Sequence, residues 1–470
     1  MSTFSGRASK WMNGAPRRRD AVLATLTGLA VRLLTATWGA GRFPPAEDGR
    51  FYYVLATRLA RGLGYTWAWP DGAVTYAAHY PVGYPGMLAV LFSLIGDRPG
   101  AAMTLNALLG AVAVFAVHRA AATSASRGGA LLAAAAVALH PGLTFYTPAL
   151  MTEGVTAALL AVLGWLVCRA QVSGERPSAH VLAIGLVLGV STLVRPQSLL
   201  LAPLFGALCV RSPGARKRAA MAAIVTAISV AVCAPWTIRN CRRMSACVLV
   251  SANAGWNLFI GAAPRATGAW VSLERLGVPP DCATVWGEAD KDRCFETAGL
   301  RAIRAEPLRW ALLIPKKLAT TFDYAGAAGW YLHSSNPVAF DDHAKTVLGT
   351  VETIWQRLVV LLALWAVATL PGPRSSLRRT TGAAAALALF TRSGWVSHLG
   401  IVAAAGLLGT RLARLPLVAT SVSVLASTMA AHAVFFGAGR YSLVCFPALS
   451  ALAGSVLTPK QSPGDTGDSG

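Results

Sequence analysis

The sequence predicts an all-α polytopic membrane protein with about twelve transmembrane helices, several interfacial helices and a small polar module on the outer face. Three observations carry that expectation. Only 13% of the 470 residues are charged and 54% are apolar, whereas a soluble domain carries roughly 25% charged residues. Apolar runs recur from residue 21 to residue 457, and the mean hydropathy is +0.51. Charge is confined to the gaps between those runs. Together these exclude a collagen-like, disordered or disulfide-stapled chain and argue against a soluble enzyme.

The formal charge of +22 raises the question of nucleic acid. Its placement answers it. Arg17-Arg18-Arg19, Arg211 with Arg216-Lys217-Arg218, Arg374 with Arg378-Arg379, and Arg411 with Arg414 all sit in short gaps. Basic short loops mark the cytoplasmic side of a membrane protein, so no nucleic-acid partner is expected. An electropositive cavity for an anionic lipid is a second reading of the excess.

In chain order, residues 1–20 form a cytoplasmic segment ending in the arginine triplet. The apolar run 21–40 is long enough for a span rather than a signal peptide. A transmembrane core, 21–236, follows, with expected spans at 21–40, 101–119, 129–146, 152–170, 180–196, 197–210 and 219–236. C-terminal helices at 349–371, 380–394, 395–410, 415–437 and 441–457 complete it. Several runs are short, which leaves eleven to thirteen crossings open. The tail 458–470, rich in Pro, Gly, Asp and Ser, reads as disordered and cytoplasmic.

Two gaps on the outer side are too long to be turns. In residues 41–100, Phe51, Tyr52, Tyr53, Leu55, Ala56 and Leu59 alternate with Arg50, Arg58 and Arg61. That pattern suits an interfacial amphipathic helix stopped at Gly62-Leu63-Gly64. Tyr84 to Ile95 is too short to span and reads as a dipping helix. The second gap, 237–348, holds ten of the twenty acids and reads as a periplasmic or extracellular module. Its stretch Pro307 to Tyr324 resembles another membrane-surface helix.

Cysteines follow the same division. Cys168, Cys209, Cys233 and Cys445 lie in spans as small hydrophobes. Cys241, Cys247, Cys282 and Cys294 gather in the outer module, where an oxidising compartment favours disulfides. Cys241–Cys247 and Cys282–Cys294 are the expected pairs. Zinc held by the four thiolates is the alternative, weakened by the lack of CxxC spacing.

Few residues can carry chemistry. Glu47-Asp48, just after the first span, reads either as an acidic pair capping the interfacial helix or as a general base at the membrane–water boundary. Glu153 is the sole acid between Asp97 and Glu175, and an ionisable residue at a span end is a functional candidate unless it serves a structural ion pair. Arg195, Arg239 and Arg440 stand at outer ends of spans, and Lys316-Lys317 on the surface helix. Converging, they would bind phosphate through forked, permanently charged donors; singly, they would anchor headgroups. His79 could orient a substrate or be a plain loop residue. Tyr80, Tyr84 and the tryptophans at 236, 256 and 270 read as turn or belt residues. No Walker-type, HExxH or GxGxxG pattern is present.

In this arrangement the sequence resembles the GT-C polytopic glycosyltransferases, a group that includes the dolichyl-phosphate-mannose–protein mannosyltransferases (family 39), the lipid A aminoarabinose transferase and the galacturonosyl transferases of lipopolysaccharide core. The resemblance runs from about residue 44 to residue 457. It is carried by AEDGRFYYVLATRLARGLGY (46–65), YPVGYP (80–85), NALLGAVAVFAVHRAA (106–121), MTEG (151–154), VRPQS (194–198), PWTIRN (235–240), SANAGWNLFIG (251–261) and GRYSLVCFP (439–447). It implies that Asp48 is the essential acid after the first span, although many members carry the pair as Asp-Glu. Glu153 matches the second acid. Arg440-Tyr441 matches an Arg-Tyr-Arg motif, with Ser442 in place of the second arginine. The implied activity is inverting transfer from a polyprenyl-phosphate-linked sugar to a lipid, glycan or protein acceptor on the outer face of the plasma (inner) membrane. Asp48 would be the base, Arg239, Arg440 and Arg195 or Lys316 the phosphate ligands. No cofactor is expected, and a divalent metal stays open. A flippase of lipid-linked sugars or a non-catalytic scaffold is the competing reading.

Overall fold

The computed structural model describes residue 12 and residues 14–173, 177–211, 214–244, 246–391 and 393–458. The expected N-terminal segment 1–20 falls largely, and the expected tail almost wholly, outside the described residues. Six helices are long and apolar enough to cross a membrane: Arg18–Ala40, Pro99–Ala121, Thr152–Val172, Ala215–Arg243, Asp342–Thr369 and Pro416–Val434. Five shorter apolar helices accompany them: Gly83–Ile95, Arg127–Ala138, Ser178–Val194, Pro196–Leu208 and Trp395–Gly406. The chain is an all-α multi-pass membrane protein. Large apolar side chains such as Leu34, Leu94 and Trp365 stand on its outward faces, where lipid replaces water as their surroundings.

Local chemistry sets where the helices break. The expected run 129–146 divides at His140-Pro141 into Arg127–Ala138 and Pro141–Phe145. Proline lacks the N–H and pushes the preceding residue out of the helical region. His140 Nδ1 then accepts the Leu143 N–H at 3.2 Å, capping the new helix. The expected span 441–457 starts as a 3-10 turn, Gly439–Cys445, and becomes α-helical only over Phe446–Gly454. Arg32, buried within the bundle, donates to the Val137 and Ala138 carbonyls at 2.8 and 3.1 Å, satisfying acceptors that the end of a helix leaves open. Helices Pro177–Val194 and Ala215–Arg243 approach closely because Gly185 and Gly189 face Ile228 and Val232, as small residues allow in membrane bundles.

The first long gap holds a helix where one was expected, Asp48–Ala60, which ends as Gly62 turns to φ +72°. A two-stranded hairpin follows, Thr66–Ala68 paired antiparallel with Val74–Tyr76. Helical periodicity gave no sign of it.

The second gap is not a free-standing module. Helices Ala254–Ala262 and Glu288–Ala305 pack through Phe259, Ile260 and Phe295, and the same core takes in Phe436 and Tyr441 from the C-terminal part of the chain. Disulfides join Cys241 to Cys247 and Cys282 to Cys294, while Cys168, Cys209, Cys233 and Cys445 are buried and free. Helix Pro307–Phe322 is amphipathic, with Leu313, Lys317, Leu318 and Phe322 turned inward. After it, Ala327–Ser335 enters the bundle, and the buried Tyr331 hydroxyl accepts the N–H groups of Ala46 and Leu150 at 3.1 and 3.4 Å. That bond draws together the two stretches that carry the acids.

Candidate active site

Asp48 opens the interfacial helix, and Glu153 sits in the first turn of Thr152–Ser173, each where a helix dipole favours a carboxylate. Arg195 follows the helix Pro177–Val194, and Arg440 lies in the 3-10 turn Gly439–Cys445. Four distant segments therefore meet. Arg440 bridges the acids: its Nη2 is 3.0 Å from Asp48 Oδ2 and its Nε 3.5 Å from Glu153 Oε1. Arg195 Nη1 lies 3.1 Å from the same Glu153 oxygen. Tyr146 donates to Glu153 Oε2 at 3.2 Å, and Tyr80 donates to Asp48 Oδ1 at 3.3 Å. The Tyr441 ring lies under both guanidinium groups, 5.2 Å from Arg440 and 5.0 Å from Arg195. Its other neighbour is the stacked ring of His432, 4.1 Å away.

Burial gives the arrangement its force. Glu153 is only 2% exposed, and a charge so placed persists only with opposite charge and hydrogen bonds around it. Arg440, Arg195 and Tyr146 supply both. Arg195 divides its nitrogens between two partners. With the Gln197 carboxamide oxygen turned toward it, Nη2 and Nε donate at 3.1 and 3.2 Å. Nη1 is within ion-pair distance of Glu153 yet off the hydrogen-bond axis, and is a buried donor without a hydrogen-bond acceptor among the described residues. The loop before Glu153 is fixed by Asn106, which accepts from the Tyr84 hydroxyl at 3.1 Å and donates to the Thr147 and Ala149 carbonyls at 3.1 and 3.0 Å.

Other expected site residues lie elsewhere. Glu47 makes no side-chain cap; it adopts φ 50°, is exposed, and accepts from the Ser334 hydroxyl. It points away from the cluster. Arg239 does not join this cluster. Its guanidinium donates to the Ala77 and Tyr65 carbonyls at 2.8 and 2.7 Å and rests on the Trp236 ring. It ties both ends of the hairpin to the helix Ala215–Arg243. Lys316 is exposed on an open groove beside Leu308, Arg309 and Leu312. Its neighbour Lys317 is fully buried and donates to the Ala433 and Val434 carbonyls at 3.2 and 2.9 Å. The His79 ring packs edge-on against Tyr80 and Trp256, and its backbone N–H goes to Glu288 Oε2 at 2.8 Å.

Sequence reasoning missed Tyr80, Tyr146, Asn106 and Glu288. Tyr80 was open to discovery only as part of the YPVGYP run, where a tyrosine before proline reads as a turn residue. Burial and the adjacent Asp48 push its phenol up, so it keeps its proton and acts as a donor.

Comparison with known proteins adds the following. A search of curated proteins finds no match. The archaeal oligosaccharyltransferase AglB of Archaeoglobus fulgidus, solved with an inhibitory peptide and a dolichol-phosphate, superposes at a TM-score of 0.47 with 13% identity, over 93% of this chain and 49% of that one. The same enzyme tethered to an acceptor peptide gives 0.47 and 12% over the same shares. The chain thus spans about half the length of that protein. ArnT from Cupriavidus metallidurans, bound to undecaprenyl phosphate, gives 0.37 and 17%, over 92% of this chain and 77% of that one. Residues 79–238, a stretch that includes His79, Glu153 and Arg195 and stops just short of Arg239, match the dolichyl-phosphate-mannose-protein mannosyltransferase family, and it is to this GT-C glycosyltransferase group that the chain is similar.

Proposed function

We propose that this protein is a membrane glycosyltransferase that moves a sugar from a polyprenyl-phosphate donor to the hydroxyl of a lipid, glycan or protein acceptor. Transfer is a direct, inverting displacement on the outer face of the plasma membrane. The observation that carries this reading is the Asp48–Arg440–Glu153–Arg195 cluster, with a carboxylate at one end and a buried guanidinium at the other. That pairing suits a reaction in which one group gives up a proton while another gains negative charge.

In the reaction the acceptor oxygen attacks the anomeric carbon and its proton passes to Asp48. The bond from that carbon to the phosphate oxygen breaks, and its electron pair leaves with the polyprenyl phosphate. Arg440 and Arg195 stabilise the growing phosphate charge, the fixed electrostatic help that dominates many enzymes. Glu153 holds both arginines in place before the donor arrives. The Tyr441 ring lies within cation–π distance of both guanidinium groups, which supports cations at little desolvation cost. The likeness of residues 79–238 to the mannosyltransferase family supports the sugar-phosphate donor.

The test is transfer from synthetic polyprenyl-phosphate sugars in nanodiscs, with envelope glycolipids and glycoproteins as acceptors. Sugar appearing on an acceptor with release of the polyprenyl phosphate is the expected result. Movement of intact lipid-linked sugar between leaflets without cleavage would instead make the protein a flippase.

A further inference from the structure

We infer that Tyr80 is a positioning residue for Asp48, its hydroxyl fixing the carboxylate that receives the acceptor proton. This rests on the transfer reaction proposed above. The Tyr80 hydroxyl donates to Oδ1 while Arg440 holds Oδ2, so both oxygens are tied and the carboxylate plane cannot turn freely. Lone-pair positions remain on each oxygen for the acceptor hydroxyl, since a carboxylate offers about four.

The tyrosine is itself immobilised. Its ring stacks on Phe51 at 4.8 Å and meets the Tyr52 ring edge-on at 5.2 Å. Its backbone lies in a loop fastened from three directions. Arg239 holds the Ala77 carbonyl, Glu288 Oε2 takes the N–H groups of Ala78 and His79, and the Tyr65 hydroxyl donates to the Tyr80 carbonyl at 2.8 Å. Glu288 belongs to the helix Glu288–Ala305, and Arg239 to Ala215–Arg243. Residues from two other parts of the chain thus serve to place one phenol. A general base must stand within hydrogen-bond reach of its proton, and a misplacement of about 1 Å costs roughly 10²-fold. Anchoring of this kind is what such a demand requires.

The experiment uses the full chain in nanodiscs with a synthetic polyprenyl-phosphate sugar. Tyr80→Phe keeps the ring and removes the hydroxyl. Its kcat should fall roughly 10–100-fold, the equivalent of one hydrogen bond to a charged group, with donor KM and thermal stability unchanged. Added to Asp48→Asn, the same substitution should cost less than about twofold, because the residues act as one unit. Wild-type kcat in Tyr80→Phe, or an equal loss in both backgrounds, overturns the inference. Infrared spectroscopy gives a readout that does not need turnover. The carboxylate band lost in Asp48→Asn should shift in Tyr80→Phe, and an unmoved band overturns the inference. A wild type that transfers no sugar defeats the proposed function, and the infrared result then decides the role of Tyr80 alone.

Discussion

At the scale of single residues, Asp48 and Glu47 are neighbours in sequence but face different surroundings. Asp48 meets Arg440 and Tyr80, and Glu47 meets Ser334. Asp48→Asn should lower kcat by roughly 10²–10⁴-fold with little change in donor binding. Glu47→Gln should stay close to wild type in the same assay. Arg440→Ala should act on stability as well as rate. It leaves Glu153 buried with one fewer cation and Asp48 with none at contact distance. Removing one partner of a buried pair costs roughly 3–5 kcal/mol; because the Asp48 side chain is 33% exposed, the lower end applies. Thermal melting in detergent should show that loss, and Arg440→Lys should recover part of it. Glu153, Arg195 and Arg440 were legible in the sequence because each is a charge beside an apolar run, and Asp48 because an acidic pair follows the first of those runs. Arg239 presented the same local pattern. Its partners are backbone carbonyls more than a hundred and fifty residues away, and nothing in a local pattern distinguishes a carbonyl from a phosphate.

At the scale of elements, the surface helix Pro307–Phe322 carries two titrating groups of opposite behaviour. Asp323, at its C-terminal end, accepts the Trp395 N–H at 2.7 Å, and burial raises its carboxyl to about 6. The folded state therefore holds the proton more tightly than the unfolded chain, where an aspartic acid titrates near 3.9. The stability from that proton is fully present below about pH 4 and is lost as pH rises through about 6. Asp323→Asn keeps an oxygen for the Trp395 N–H and removes the charge. Its melting temperature should exceed that of wild type above pH 6.5, with the gap closing toward pH 4. Burial depresses Lys317 to about 8, so its contribution runs the other way, present above the unfolded value and lost as pH falls through about 8. The amphipathic pattern foretold this helix, and the run of Phe51 to Leu59 foretold the interfacial one. The hairpin escaped because three-residue strands are too short to show alternation, and the broken span at His140-Pro141 escaped because the surrounding alanines read as continuous helix.

At the scale of the whole molecule, the order of apolar runs was the most legible feature, since lipid demands internally satisfied backbone and leaves helices as the solution. The sidedness expected from the basic gaps is open to direct test. Arg301 and Arg379 are both exposed, one in the polar segment and one in a basic gap. A cysteine placed at 301 should react with an impermeant maleimide in intact cells, and one at 379 only after the membrane is opened. The reverse pattern would place the Asp48 cluster on the cytoplasmic side. What the sequence did not show is that the core of the polar segment is shared, because Phe436 and Tyr441, far downstream, complete it.

The ion pair between Asp48 and Arg440 joins residues nearly four hundred positions apart. A ribosome delivers the first long before the second, so during synthesis Asp48 waits with this partner still unmade. Arg195 can meet Glu153, and Tyr80 can meet Asp48, well before then, but the bridge between the two acids closes only with the last turns of the chain. A chain that stalls or is clipped before Gly439 would lack the cation that bridges both acids. If the cluster works as proposed above, such a chain should be inactive in the transfer assay, so that activity marks a molecule whose insertion is finished.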